Sequence, residues 1–336
     1  MLTDGLPKMP HKIEISHRTI IFAVVFLLSL VLLYQIRQIL VLMFIALILM
    51  SALNPTVRKL EQIRVPRALA VVMIYLLIFL IFGLAIAGVI PVLIEQTASL
   101  ISRLPEYLEA LRLGGQLSMI DQNVINSQLN QWGSIPANLL KITASIFGSL
   151  TAFLVVMVIT FYLLIERQHL DRYLAILFGG DGVDRARAFV DRLEHRLGGW
   201  VRAQLALMLI VGVVTYIGLR LLGFEFALPL AILAGLLEIV PNLGPTLAAL
   251  PAVLAGLAIS PLMALTVAAF YFLVQQVENS LIVPQIMARG VGIRPLAVII
   301  SLAIGANLAG LLGIILAIPF FILVRVILEE LKAPSQ

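Results

Sequence analysis

Glu238-Ile239-Val240-Pro241-Asn242-Leu243-Gly244-Pro245 lies in the middle of an apolar run, Leu228 to Ala258, that is long enough to cross a bilayer. Such a run cannot be one uninterrupted helix. Pro241 and Pro245 each lack a backbone donor and clash with the preceding turn, Gly244 loosens the backbone, and Asn242 brings a polar amide where a lipid-facing helix has none. The stretch predicts two half-helices meeting at a break, with Glu238 within one turn of it. A carboxylate at membrane depth is costly unless it faces a partner or a water-filled cavity, so break and carboxylate together point to a binding site.

The rest of the composition agrees with a membrane setting. Of 336 residues, 61% are hydrophobic and 12% charged, with a mean hydropathy of +1.09, whereas about a quarter of the residues of a soluble domain are charged. The chain reads as an all-α, polytopic integral membrane protein. Its net charge of +5 does not indicate nucleic acid, because Lys and Arg sit in short clusters between apolar runs and act as topology signals. The absence of cysteine excludes disulfides, thiolate catalysis and cysteine metal sites. His11, His17, His169 and His195 form no metal-type pair at helical spacing and lie in polar flanks. No Lys-Ser/Thr-ended phosphate loop, His-Glu-x-x-His or Gly-x-Ser-x-Gly is present, so no catalytic residue, metal or cofactor is expected.

Along the chain, Ile20 to Leu33 and Ile39 to Leu53 read as two short spans forming a hairpin. Neither reaches the roughly 20 residues that a crossing needs, so both borrow flanking residues. Arg58, Lys59, Arg64 and Arg67 against Glu61 mark a cytoplasmic loop, which places the N-terminus in the cytoplasm. Ala68 to Ile94 runs outward, and residues 1–94 thus hold the N-terminal spans. Residues 95–140 have few basic residues and carry Leu100, Leu104, Leu108 and Leu111, as expected of external amphipathic helices. Ile142 to Ile165 returns. In the cytoplasmic segment 166–202, Ala186, Phe189, Val190, Leu193, Leu197 and Trp200 recur at helical spacing, opposite a charged face (Arg185, Asp191, Arg192, Glu194, Arg196). That face reads as solvated surface, with anionic lipid headgroups as the functional alternative.

Residues 203–336 read as a transport core with an internal duplication. A span at Ala203 to Leu222 precedes Pro229-Leu230-Ala231 and the broken segment; a span at Leu262 to Val274 precedes Pro295-Leu296-Ala297 and a second interrupted run, with Gly305, Asn307, Gly310, Gly313 and Pro319. Each tripeptide is followed by an Asn-Leu pair, at 242 and 307. Counting spans inverts the two units relative to each other. Inverted repeats with paired discontinuous helices place a substrate site near the midplane.

The candidate binding residues are Glu238, Pro241, Asn242, Gly244 and Pro245 at the first break, and Gly305, Asn307 and Gly310 at the second. Glu238 has two readings: a proton-exchanging group that couples transport, or a structural polar contact. Gln276, Glu278, Asn279 and Pro284 are candidates for gating or coupling, or form an interfacial cap in which Glu278 reaches Arg289. Small residues four apart (Ala227, Ala231, Gly235) would let helices pack closely in lipid.

These motifs, with Asn54-Pro55, Pro251, Val274-Gln275-Gln276-Val277-Glu278-Asn279, Ile282-Val283-Pro284, Ile286-Met287 and Ala317-Ile318-Pro319, resemble the autoinducer-2 exporter family of bacterial permeases. The similarity covers nearly the whole chain and is strongest from residue 200 onward. Asn242 stands where many members have tyrosine. The resemblance implies a multi-pass, homo-oligomeric transporter of the bacterial inner membrane, embedded in lipid. Its solute would be a small polar molecule of the autoinducer-2 type or a monovalent cation exchanged for protons. A passive channel or a membrane scaffold is the alternative from another class.

Overall fold

The computed structural model describes residues 17–81, 83, 84, 87, 88, 91, 95, 150–179, 182–225, 227–240, 244–257, 259–283, 285 and 295–332. Among these there is no strand, and five helical stretches are long and apolar enough to cross a membrane. The protein is an all-α, polytopic membrane protein. The external helices expected over 95–140 fall, but for residue 95, outside the described residues, as do Pro241, Asn242, Pro284, Arg289 and Arg294.

By its contacts the chain divides into two compact units, Met1–Phe44 and Ile45–Gln336. In the first, helix α1 (His17–Gln35) passes into α2 (Arg37–Gln62) through Ile36 alone. The Ile36 N–H donates to the Leu32 carbonyl at 2.9 Å and the Leu40 N–H donates to the Ile36 carbonyl at 3.0 Å, so the helical path continues. The expected hairpin is corrected: Tyr34-Gln35-Ile36-Arg37 is polar like a loop but contains no glycine or proline to break the ladder. The Arg37 guanidinium lies 3.9 Å over the Tyr34 ring, which shelters the charge along the helix.

In the second unit, one core gathers Met50 and Val57 of α2, Ala70, Val71 and Ile74 of α3 (Arg67–Ile81), and Leu164 of α4 (Leu150–Glu166). Pro55 inside α2 cannot donate to the Ser51 carbonyl. That carbonyl meets Gly198 on α6 (Gly182–Leu221), where any side chain would collide with it. A 3-10 turn (Arg167–His169) and α5 (Leu170–Phe178) join α4 to α6, and Gly179, with φ of 57°, ends α5 in a conformation that favours glycine.

Helix α6 is a single helix of 40 residues, without the boundary expected at 202/203. Its buried face runs unbroken through Leu193, Leu197, Trp200, Gln204, Leu207, Val211, Thr215 and Leu219. The expected amphipathic stripe and the expected span are thus two parts of one surface. The charged face is partly paired rather than simply solvated: Arg196 meets Glu329 at 2.8 Å, and Arg192 pairs with Glu330.

Helices α7 (Ala227–Leu237), α8 (Gly244–Leu257), α9 (Pro261–Val277) and α10 (Pro295–Lys332) complete the fold, with a π-helical turn at Glu278–Ile282 after α9. Prolines 229, 245, 261 and 295 fall in the first turns, where the missing donor is not needed. The Ser260 hydroxyl accepts from the Met263 N–H at 3.1 Å and caps α9. The main core of this half joins Val211 and Leu219 to Leu230, Ala234, Ala248, Ala252, Val267 and Tyr271. Helices α6 and α7 cross backbone to backbone: a methyl on Gly235 would stand 2.7 Å from the Met208 carbonyl.

Helix α10 folds back at Ala309 (φ −145°, ψ 21°) and Gly310 (φ 57°, ψ −134°). Gly305 and Gly313 then face each other across the two arms, and a side chain on either would collide with the other's carbonyl. The second arm continues through Pro319 to Lys332, so residues 320–331 are the end of a long helix. The same order, a long helix followed by a helix pair, thus occurs twice: α6 then α7–α8, and α9 then the two arms of α10.

Candidate functional site

The first break is compact. The Glu238 N–H makes the last α-helical bond of α7, to the Ala234 carbonyl at 3.1 Å, after which Ile239 and Val240 donate to Leu236 and Leu237 in a tightened turn. The Gly244 N–H donates to the Val240 carbonyl at 3.0 Å, which starts α8 beside the end of α7. A methyl on Gly244 would lie 2.6 Å from the Glu238 backbone nitrogen, so only glycine lets the chain fold back so closely. Pro245 is buried next to it.

This turn presents Glu238 to Glu278. Both residues are 0% exposed, and their carboxyl groups lie close enough to interact directly. Neither carboxyl receives a hydrogen bond from any other described group. Two carboxyls in contact can form a hydrogen bond only when one of them carries a proton. Glu278 reaches this position because Val267, Tyr271 and Val274 bury the same face of α9, and the π turn begins at Glu278 itself. Gln276 and Asn279 on either side remain exposed. Single π turns inside helices recur where a side chain must be re-aimed at a functional site.

Helix α6 forms another wall. The Gln204 amide donates through Nε2 to the Glu238 carbonyl at 2.5 Å, satisfying an acceptor freed by the helix break. Among the described residues, Gln204 Oε1 and Trp200 Nε1 are buried without a partner, as are the hydroxyls of Thr215 and Tyr271. Buried polar atoms normally find partners. Gln204, bonded to the Glu238 carbonyl, places one such unsatisfied group beside the carboxyl pair, where it can receive a polar solute or a proton donor.

The structure thus brings together Glu238, Gly244, Pro245 and Glu278. Asn307 and Gly310 are exposed at the fold-back of α10, Gly305 is half-buried at the crossing of its arms, and α10 packs mainly on α6. Sequence reasoning missed Gln204 and Trp200; an amide at the head of an apolar span is the signal that marks the first. It also passed over a second polar cluster. Asn54, 3% exposed, donates to the Glu194 carboxylate and accepts from Arg67 Nη2 at 2.8 Å. Arg67 also donates to Glu61 at 2.8 Å and to the Leu164 carbonyl at 2.6 Å, while Arg167 donates to Glu194 at 2.7 Å. This network ties α2, α3, α4 and α6 together.

Residues 20–333 of the chain match the AI-2E family transporter. The chain belongs to the AI-2E transporter family. Among its relatives, YueF of Bacillus subtilis is 31% identical over 303 residues, covering 84% of this chain and 81% of that protein. YrrI of the same organism is 27% identical over 309 residues, covering 87% and 86%. The Escherichia coli protein named AI-2 transport protein TqsA is 30% identical over 307 residues, again covering 87% and 86%. This AI-2E family member is accordingly a multi-pass membrane transport protein.

Proposed function

We propose that this AI-2E transporter is a secondary transporter of the bacterial inner membrane that exports a small polar solute of the autoinducer-2 type, with Glu238 and Glu278 carrying the coupling proton between them. The observation that carries this reading is that two buried carboxyls face each other with no other hydrogen-bonding partner among the described residues. Two like charges about 4 Å apart repel by roughly 4 kcal/mol even at an effective dielectric of about 20. The pair therefore needs one positive charge between them, and a shared proton supplies it. The proton leaves only when the site opens to water, so the loading of the pair follows the side to which the site is open. Alternating access about the helix pairs α7–α8 and α10, related as inverted repeats, would supply that opening.

The same carboxyl oxygens favour a second reading, sodium or lithium exchanged for protons, in which the metal ion replaces the proton between the two glutamates. Purified protein in proteoliposomes distinguishes the readings. With a proton gradient imposed and a furanone signal, sodium or lithium offered in turn, the first reading expects gradient-driven accumulation of the furanone. The second expects accumulation of the cation alone. Movement of any of these only down its own gradient would indicate a channel, and no movement a scaffold; either result overturns both readings.

A further inference from the structure

A cavity of about 420 Å³ opens beside the charged half of α6, between α2, the 3-10 turn and α5. Its lining mixes both signs, but an inventory of partners leaves one sign over. The three lining carboxylates are all engaged: Asp171 by Arg187 at 2.8 Å, and Asp191 and Glu194 by Arg167 at 2.5 and 2.7 Å. Arg58 on α2 and Arg202 on α6 also line the cavity, and among the described residues neither has a carboxylate partner. Both are exposed, and His195 stands on the same lining. Gly198 makes room for one of them: a methyl there would lie 2.9 Å from Arg202 Nη1, so the bare backbone lets the guanidinium lie across α6.

We infer that this cavity is a binding site for a phosphate-bearing anion, held by the Arg58 and Arg202 guanidinia. Two planar forks with free N–H groups match phosphate oxygens, and the volume lies within the range of about 300–1,000 Å³ typical of small-ligand sites. The phosphate belongs either to the headgroup of an anionic lipid or to a phosphorylated solute in water. The site is separate from the Glu238–Glu278 pair and does not rest on its proposed role.

The test uses the full-length protein and two probes. Glycerol 3-phosphate is titrated calorimetrically into protein in neutral detergent. In parallel, thermal unfolding is compared in nanodiscs of phosphatidylcholine with and without phosphatidylglycerol. Losing two charge-assisted contacts should weaken binding about a hundredfold or more in R58Q/R202Q. R58K/R202K keeps the charge but not the fork and should fall between. R192Q, which alters a guanidinium paired with Glu330, should bind as the parent does. Saturable binding of glycerol 3-phosphate that the double Gln variant loses supports a solute site. Stabilisation by phosphatidylglycerol alone, lost in the same variant, supports a headgroup site. Absence of both responses, or either response unchanged in both double variants, overturns the inference.

Discussion

Replacing Glu238 separates the two things its carboxyl does. In the parent, the Glu238 carboxyl faces Glu278, and both are buried. Glu238→Gln keeps the size and presents an amide donor to the Glu278 carboxylate, as a protonated acid would, so stability should change by about 1 kcal/mol or less. Glu238→Ala removes the partner, leaves the Glu278 oxygens with nothing to face, and opens a gap at the end of α7. Leaving a buried polar group unsatisfied in this way costs about 1–3 kcal/mol. Unfolding in mixed micelles can be followed through Trp200, which is 5% exposed and close in sequence to Gln204 on the same buried face. The chain has 2 tryptophans, so Trp132→Phe makes the signal specific. The expected order is parent and Glu238→Gln together, with Glu238→Ala well below. Equal destabilisation by Gln and Ala, or none by Ala, would refute the shared-proton arrangement.

Three further outcomes follow from packing and hydrogen bonds. Gly244→Ala places a methyl 2.6 Å from the Glu238 backbone nitrogen and should destabilise by about 1–3 kcal/mol, read as an earlier midpoint in the same micelle titration. Gln204→Leu leaves the buried Glu238 carbonyl without its donor and should cost about 1–3 kcal/mol, with faster hydrogen exchange at residues 238–240. Arg167→Ala strips Glu194, 11% exposed at its side chain, of its cation, and should destabilise the α2–α6 contact by about 3 kcal/mol. Asn54→Leu in the same background should then cost less than it does alone, as a double-mutant cycle would measure.

The break at 238–244 was legible because proline and glycine act on the backbone where they stand, whatever packs around them. The membrane class followed from composition for the same kind of reason. Tyr34 to Arg37 misled because polarity between two apolar runs looks like a loop, while the helix itself responds to missing donors and flexible backbone, and there are none. The boundary at 202/203 vanished because the buried stripe of α6 keeps its phase across the change from charged to apolar flanks. Glu278 was visible as a polar residue at the end of a span, but its meeting with Glu238 depends on a π turn and on the packing of α9 against α6 and α8, neither of which leaves a local mark. Asn307 looked equivalent to Asn242 by spacing. The fold-back falls at Gly310, whose positive φ decides the turn, and Asn307 ends on its exposed side.

The claim on which the account turns is that Glu238 and Glu278 move a proton together, and proton flux measures it directly. Proteoliposomes loaded with a pH-sensitive dye would report internal pH on addition of the transported solute, for the parent and for E238Q/E278Q. The account predicts a solute-dependent pH change in the parent and none in the double variant, while the variant still lets solute equilibrate down its gradient. An undiminished pH change in E238Q/E278Q would contradict it.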